Sequence, residues 1–226
     1  MNTKKVVSID NQKKNVSSFH HPHHQSKVYK MVAKRKWSKF NHFFVSCCED
    51  DFNLVSNERH TRSNETLLHY VCRFHPPISV VRTIVDRFPC WCSLLDSNGQ
   101  SPLHIAAQYG ADPSIIDYLC VPERSTSGIQ DKLGKTPLHL ACISYADHYK
   151  NKKSLHNALV VTTKILVRSS PSTVNLEDKD SMNALEYVIN SNHGTLDVYR
   201  IIQKTSEKEY KKKLKLASQI SNDNYN

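Results

Sequence analysis

The 226-residue sequence lacks any long run of apolar residues. A short run around Phe43-Phe44-Val45 falls well below the roughly 18 residues that a membrane-spanning helix needs. The first fifteen residues contain lysines but no apolar stretch of the kind found in signal peptides. Seven cysteines, an odd number, in a chain without an export signal favour reduced thiols. We therefore expect a cytoplasmic or nuclear protein without a membrane span.

Apolar and aromatic residues are also scarce. Hydrophobic residues make up 38% of the chain and aromatic residues 8%, so part of the chain is expected not to pack into a core. The sequence contains no nucleophile motif, P-loop, dinucleotide-binding fingerprint or metalloprotease helix. We therefore expect neither catalysis nor a cofactor.

Two patterns invite a metal-binding interpretation. The tract His20-His21-Pro22-His23-His24 could bind zinc or nickel weakly, but it has no cysteine or carboxylate at ligand spacing. Cys90 and Cys92 are separated by one residue, whereas zinc-binding pairs usually have at least two between them. We interpret the first as incidental low-complexity sequence and expect no metal site.

The net charge of +10 lies mostly at the two ends of the chain. Residues 1–40 carry a net charge of +9, residues 204–226 carry +3, and residues 41–203 carry −2. A nearly neutral central region does not have the basic surface that nucleic-acid binding requires. Contact with nucleic acid or acidic surfaces through the two basic tails is therefore an alternative function.

Three eight-residue segments of the chain are alike, and a fourth is a more divergent copy. Histidine is the fifth residue of the first three, at intervals of 35 residues, and glutamate takes its place in the fourth, 47 residues later. The segments are residues 65–72, 100–107, 135–142 and 182–189. Their fifth residues are His69, His104, His139 and Glu186. The chain therefore contains an internal repeat.

Each copy begins in the way an α-helix begins. Its second residue has a side-chain oxygen that can accept a hydrogen bond from an unpaired backbone N–H. These capping residues are Thr66, Ser101, Thr136 and Asn183. Pro102 and Pro137 then occupy the first helical position, where a missing N–H costs little. Turn sequences lie just upstream, with Gly99 and Gly134 able to take positive φ; Asn64 and Ser181 hold this position in the other copies.

A second helix follows at a fixed distance in three of the copies. Apolar residues recur eleven, twelve, fifteen and sixteen residues after the histidine position, which is the spacing of one buried helix face. They are Val80, Val81, Ile84 and Val85; Ile115, Ile116, Leu119 and Cys120; and, with Asp197 as one exception, Val198, Ile201 and Ile202.

A turn, a T-P-L-H helix start and a second helix together resemble the ankyrin repeat, whose period is about 33 residues. The resemblance covers residues 61–205 in about four repeats, of which the second and third are clearest. It implies an all-α fold, a solenoid of helix-turn-helix repeats with short β-turn or hairpin connections. It also implies that His69, His104 and His139 are structural residues, hydrogen-bonded within and between repeats, rather than catalytic ones.

The periodicity divides the chain into segments. We expect a disordered, basic, histidine-rich tail, a capping helix region, four repeats, a closing helix and a short tail. In order these are residues 1–35, 36–60, 61–95, 96–130, 131–177, 178–205, 206–220 and 221–226. The longer third repeat predicts an inserted basic loop near residues 145–156, between its two helices. Ser206 and Glu209 have the spacing of a capping box, which predicts the start of the closing helix.

Ankyrin proteins usually contact protein partners through turn positions and exposed first-helix positions on a concave surface. The resemblance assigns this role to Arg62, Ser63, Glu65, Arg73, Phe74, Ser97, Asn98, Gln100, Gln108, Tyr109, Lys132, Leu133, Lys135, Ile143 and Ser144, and in the fourth repeat to Lys179, Asp180 and Met182. Mixed polar, apolar and aromatic groups suit a protein partner better than a phosphate backbone. The sequence therefore predicts a monomeric, non-catalytic interaction scaffold or adaptor for an unidentified protein.

Overall fold

The computed structural model describes residues 22–46, 63–121, 126–148, 153–191 and 196–223. Across these ranges the regular secondary structure is helical and includes no strand, so the predicted all-α class is confirmed. The α-helices are α1 Pro22–Ala33, α2 Trp37–Ser46, α3 Leu67–Cys72, α4 Ile78–Arg87, α5 Pro102–Gln108, α6 Pro113–Leu119, α7 Pro137–His148, α8 Lys153–Ser169, α9 Ala184–Asn190 and α10 Leu196–Asp223. Short 3-10 helices cover Pro89–Cys92 and Pro171–Asn175. None of the described helices is long and apolar enough to cross a membrane.

The helices pack as pairs in a stack. The first helices of successive repeats, α3, α5, α7 and α9, contact one another in chain order, and so do the second helices, α4, α6, α8 and α10. This arrangement follows from the repeat, because equivalent apolar faces meet equivalent faces in the neighbouring unit. The predicted helix-turn-helix solenoid is therefore confirmed.

The predicted stripe on the second helices forms much of the core. Val80, Val81, Ile84 and Val85 are completely buried in α4, and Ile115 and Ile116 are completely buried in α6. Burying each such side chain contributes about 1.5–3 kcal/mol before entropy is considered. In the last repeat Val198 and Ile202 are also fully buried, so the stripe continues into α10.

The first helices begin next to the predicted capping residues. Thr66, Ser101 and Asn183 have extended backbones, and α3, α5 and α9 start at the following residue. In α7 the helix starts at Pro137, directly after Thr136. Local sequence therefore determines where these helices begin.

The expectation of disorder throughout residues 1–35 is wrong for residues 22–33, which form α1. Val28 and Val32, four residues apart, are buried, because α1 packs on α3 while α2 packs on α4. Arg35, between α1 and α2, has φ 51°, close to 52° for His75 and 60° for Gly110 at the corresponding turns of repeats one and two. The α1–α2 pair thus stacks in the same way as the repeats that follow it. Phe40 and Phe44 of α2 are buried.

The expectation of an inserted loop near residues 145–156 is also wrong for most of that segment. Residues 145–148 belong to α7, and residues 153–156 belong to α8, which is 17 residues long. The extra residues therefore lengthen both helices of repeat three. Residues 149–152 lie outside the described ranges.

The separate closing helix expected at residues 206–220 is not formed. Helix α10 is continuous over 28 residues and includes both the second helix of repeat four and that segment. The Ser206 side chain does not begin a new helix, because its Oγ bonds the Asn175 Oδ1 at 2.6 Å. All residues from Tyr210 to Ile220 are exposed, so this half of α10 does not close the stack.

Candidate functional site

The turns that precede the first helices are joined through their backbones. In each of three cases a backbone N–H donates to a carbonyl in the turn of the preceding repeat. The bonds run from Ser97 to Ser63 (2.8 Å), from Lys132 to Asn98 (2.8 Å) and from Lys179 to Leu133 (2.9 Å). Because equivalent groups are used at each step, the four turns form one row with a regular spacing.

Buried aspartates hold three of these turns in shape. Asp131 Oδ1 accepts from the backbone N–H groups of Leu133 and Lys135, both at 2.9 Å. Asp96 and Asp178 bond their own turns in the same way. A carboxylate that accepts two backbone N–H groups fixes the loop conformation, so the side chains at the turn tips have defined positions.

The residue that precedes each capping site by two positions has positive φ. The values are 53° for Asn64, 76° for Gly99, 79° for Gly134 and 56° for Ser181. At Gly134 an added Cβ would lie 2.9 Å from the Asp178 Cα, so the neighbouring turn also requires a residue without a side chain. Asn64 and Ser181 thus take the left-handed conformation for which glycine is preferred.

The three repeated histidines are buried and connect neighbouring repeats. Nδ1 of His104 accepts from the Ser101 backbone N–H at 3.1 Å, while Ser101 Oγ accepts from the His104 N–H at 3.4 Å. Nε2 of His104 lies 3.1 Å from the Ile129 carbonyl oxygen. His69 and His139 repeat this pattern, with the carbonyls of Gln100 and Leu176 as the distant partners.

These contacts define the protonation state of the rings. A backbone N–H can only donate, so Nδ1 must accept, and Nε2–H of the neutral ring then donates to the carbonyl. Burial lowers the pKa of His104 to about 4 despite the opposing influence of Asp131 and the nearby carbonyls. Burial lowers the pKa of His139 as well. Neutral rings are therefore the form that the fold requires.

Repeat four achieves the same cap with different groups. Asn183 Oδ1 accepts from the N–H of Leu185 at 2.9 Å and of Glu186 at 3.1 Å. Glu186 Oε2 accepts from the Asn183 N–H at 2.7 Å, in place of a histidine nitrogen. Glutamate therefore preserves the start of α9.

The predicted partner-binding residues differ in exposure. Ser97, Asn98, Lys132 and Leu133 are exposed at the turn tips, and Leu133 retains 58% of its accessible surface. Ser63, Arg73, Phe74, Gln100, Gln108, Tyr109 and Ile143 are half-buried. Arg62 lies outside the described residues. At the last turn Lys179 and Asp180 are exposed and Met182 is half-buried.

Three predicted contact residues do not present free side chains to a partner. Ser144 is buried, and so is Glu65, which pairs with Arg73. Lys135, in the position equivalent to Glu65, pairs with Asp178 of the next repeat and bonds the Tyr187 hydroxyl at 2.8 Å. Glu65 and Lys135 stabilise the stack, because each pairs with an oppositely charged side chain within it.

The Lys135–Asp178–Tyr187 group is strongly polarised. Burial acts to lower the pKa of Lys135, but the hydrogen bonds to Asp178 and Tyr187 outweigh it and raise that pKa. Burial acts to raise the pKa of Asp178, but its hydrogen bonds with Lys135, Tyr187 and backbone N–H groups lower it. The pair is therefore charged at neutral pH and links repeats three and four.

Aromatic side chains cluster beside Arg73, and of these Tyr70 was not predicted from the sequence. The guanidinium carbon is 6.0 Å from the Tyr70 ring centroid and 5.4 Å from that of Tyr109. Tyr70 also contacts Phe74, at 5.0 Å between centroids. Tyr70 lies in α3, and Arg73 and Phe74 follow three and four residues later, directly after the helix ends, which is a spacing that could have indicated this group.

Of the candidate metal ligands, the structure describes the side chains of Cys90 and Cys92 alone. Within the described ranges no three His, Cys, Asp or Glu side chains are placed to hold a metal ion. His20 and His21 lie outside those ranges, as do the side chains of His23 and His24. In the first 3-10 helix Cys90 is exposed and Cys92 is buried. Burial raises the pKa of Cys142 to about 12, so this thiol is a packing group rather than a nucleophile.

Comparison with known proteins agrees with this geometry. The family model for ankyrin repeats (3 copies) matches residues 68–159. No curated protein matches the chain. Ankyrin repeats generally mediate protein–protein interaction, and the family is typically non-catalytic. Residues 68–159 therefore match the ankyrin repeats that the repeated turns and helix starts predicted.

Proposed function

We propose that the protein is a non-catalytic adaptor that binds a protein partner on its turn face. The turn face comprises the exposed turn tips Ser97, Asn98, Lys132 and Leu133 and the half-exposed side chains Arg73, Phe74, Gln108, Tyr109 and Ile143. It lies on the side formed by the turns and the first helices, which we expect to be the concave side of the stack.

The exposure of the Leu133 side chain is the main observation that supports this proposal. Its side chain is 58% exposed, although its backbone N–H bonds Asp131 and its carbonyl accepts from Lys179. An apolar side chain on a turn that is fixed on both sides loses little conformational entropy when a partner covers it. The position therefore suits the centre of a protein interface, with polar turn residues around it.

The aromatic cluster extends the same face toward repeat one. Tyr70 and Tyr109 flank Arg73, whose charge is already balanced by Glu65, and Phe74 packs on Tyr70. Tyrosine and arginine contribute most often to the binding energy of protein interfaces. A balanced guanidinium between aromatic rings favours a partner with flat apolar or aromatic groups over a phosphate backbone.

The histidines support a structural role. Each of the three bonds a cap in its own repeat and a carbonyl further along the chain. Their nitrogens are therefore occupied by the fold rather than directed toward a common reaction centre.

The proposal is tested by site-specific photocrosslinking in the native cell. A photoreactive amino acid at position 133 should crosslink to a protein partner, and Leu133→Glu should reduce recovery of that partner at least about tenfold, as expected for a residue worth about 1.4 kcal/mol or more. The matched control is Val161, an apolar residue 43% exposed on α8.

The controls separate loss of binding from loss of folding. Leu133→Glu and Val161→Glu should both retain the helical circular dichroism and the unfolding midpoint of the wild type, because both side chains are exposed. Recovery that is equal in the two variants, or crosslinking from position 161 but not 133, would contradict an interface at the turn face.

A further inference from the structure

The second half of α10 extends beyond the repeat stack as a helix with exposed side chains. We call residues 207–220 of α10 the C-terminal arm; they extend for about 21 Å. Within the arm only Glu209 is half-buried, and every residue from Tyr210 onward is exposed. By contrast, Val198 and Ile202 in the first half of α10 are fully buried against the stack. The arm therefore has a position fixed by the stack but a surface that faces solvent.

Lysines form a stripe along one side of α10. Lys204, Lys208, Lys211 and Lys215 follow the spacing i, i+4, i+7, i+11, which places them on one helix face. The arm itself contains five lysines and two glutamates, Glu207 and Glu209, and has a net charge of +3. Such a stripe attracts an anionic surface.

Apolar side chains occupy much of the opposite side. Tyr210 and Leu214, at i and i+4, are 63% and 52% exposed, and Leu216 and Ile220, also four residues apart, are 59% and 55% exposed. At about 100° per residue these two pairs point about 120° apart, and each is more than about 100° from the lysine stripe. Lys213 falls between them, with an aliphatic stem long enough to lie along apolar neighbours while its ammonium stays in water.

We propose that the C-terminal arm binds the surface of a bilayer that contains anionic phospholipids, with its helix axis parallel to the surface. The apolar pairs would enter the boundary between head groups and acyl chains, and the lysines would contact anionic head groups at the edges of the helix. Since none of the described helices can span a bilayer, the arm lies on the membrane rather than crossing it.

The lysines and the apolar side chains of the arm together favour a membrane surface over a nucleic acid or a second copy of the chain. A nucleic acid would satisfy the lysine stripe and leave Leu216 and Ile220 in water. A second copy of the chain would cover the apolar pairs but bring two arms of charge +3 together. Because lipid head groups are mobile, they can contact the lysines without a matching fixed spacing. The boundary between head groups and acyl chains covers the apolar side chains. The proposal is independent of the protein partner proposed for the turn face.

The test is vesicle co-sedimentation of the full chain with phosphatidylcholine alone and with a phosphatidylcholine–phosphatidylserine mixture. Binding is expected only to the mixture and should weaken as salt increases. Lys211→Gln, Lys212→Gln and Lys215→Gln together should weaken it by about fivefold per lysine, since each lysine near an anionic surface contributes about 1 kcal/mol. Leu214→Gln, Leu216→Gln and Ile220→Gln together should weaken it at least about tenfold.

Matched controls keep the result specific to the arm. Val161→Gln and Ile189→Gln, at apolar residues that are 43% and 58% exposed elsewhere on the stack, should bind as the wild type does. All variants retain residues 1–40 with their charge of +9, so any contribution from that segment is the same in each. Helical circular dichroism confirms that the variants remain folded.

Several outcomes would overturn the proposal. Absence of binding to the anionic vesicles would do so, as would equal binding by the wild type and both arm variants. Weakening by the lysine changes but not by the leucine and isoleucine changes would indicate a simple polyanion contact, to be followed with duplex DNA. A wild-type dimer that the apolar changes convert to a monomer in sedimentation velocity would assign the arm to self-association.

Discussion

Replacing His104 by glutamine tests whether the stack depends on a neutral buried ring. The folded state holds the pKa of His104 at about 4, whereas a histidine in an unfolded chain titrates near 6.5. Between these values the unfolded chain binds more protons than the folded one, so the free energy of unfolding decreases as the pH falls. For this residue the decrease from about pH 7 to about pH 5 is about 2 kcal/mol.

Glutamine is a suitable replacement because its amide oxygen can accept from the Ser101 N–H, as Glu186 does from Asn183 in repeat four. It also lacks a titratable ring. We therefore expect His104→Gln to be less stable than the wild type at neutral pH but to lose about 2 kcal/mol less on acidification. Urea unfolding followed by circular dichroism at the two pH values measures both quantities.

His42→Gln is the matched control, because His42 is exposed on α2 and should leave the pH dependence unchanged. The reasoning is refuted if His104→Gln loses as much stability as the wild type between the two pH values. It is also refuted if the wild type is equally stable at both.

Other predictions concern the links between repeats three and four. Lys135→Met should cost about 3 kcal/mol in urea unfolding, because it leaves Asp178 charged and buried without its partner, whereas Lys132→Met at an exposed turn tip should change stability by less than about 0.5 kcal/mol. Equal effects would show that the buried pair is not stabilising. Gly134→Ala should lower the unfolding free energy by about 2 kcal/mol or more, because it adds left-handed strain and a contact with Asp178. Ser181→Gly should raise it by about 1 kcal/mol, and a decrease would contradict the strain argument.

Features set by neighbouring residues were predictable from the sequence. A capping oxygen, a proline and a histidine at fixed spacing specify α5 almost alone, because the contacts from Ser101 to His104 lie within one helical turn. The buried stripe on the second helices was also predictable, since its apolar residues pack against the equivalent residues of the next repeat. The left-handed turns at Asn64 and Ser181 followed from alignment with the glycines.

Features set by distant residues were not. Ser206 and Glu209 have capping-box spacing, yet the Ser206 hydroxyl bonds Asn175, 31 residues away, and the helix continues. Lys135 was expected at the interface because its position is often exposed, but its partner Asp178 lies 43 residues later. Helix α1 was not predicted because Val28 and Val32 stand in a segment with many charged residues and few apolar ones. Their burial depends on packing against α3, which local sequence does not show.

The groups at the histidine position give the stack a chemical polarity. A neutral histidine accepts at its own cap and donates onward, so it allows another unit to be added. A carboxylate can accept in the same way, but it has no hydrogen to donate to a following carbonyl. Glu186 therefore completes the cap of its own unit but has no hydrogen to donate to a carbonyl of a further repeat. An engineered repeat added after repeat four would lack the histidine-to-carbonyl hydrogen bond that joins the earlier repeats, unless residue 186 were replaced by a donor.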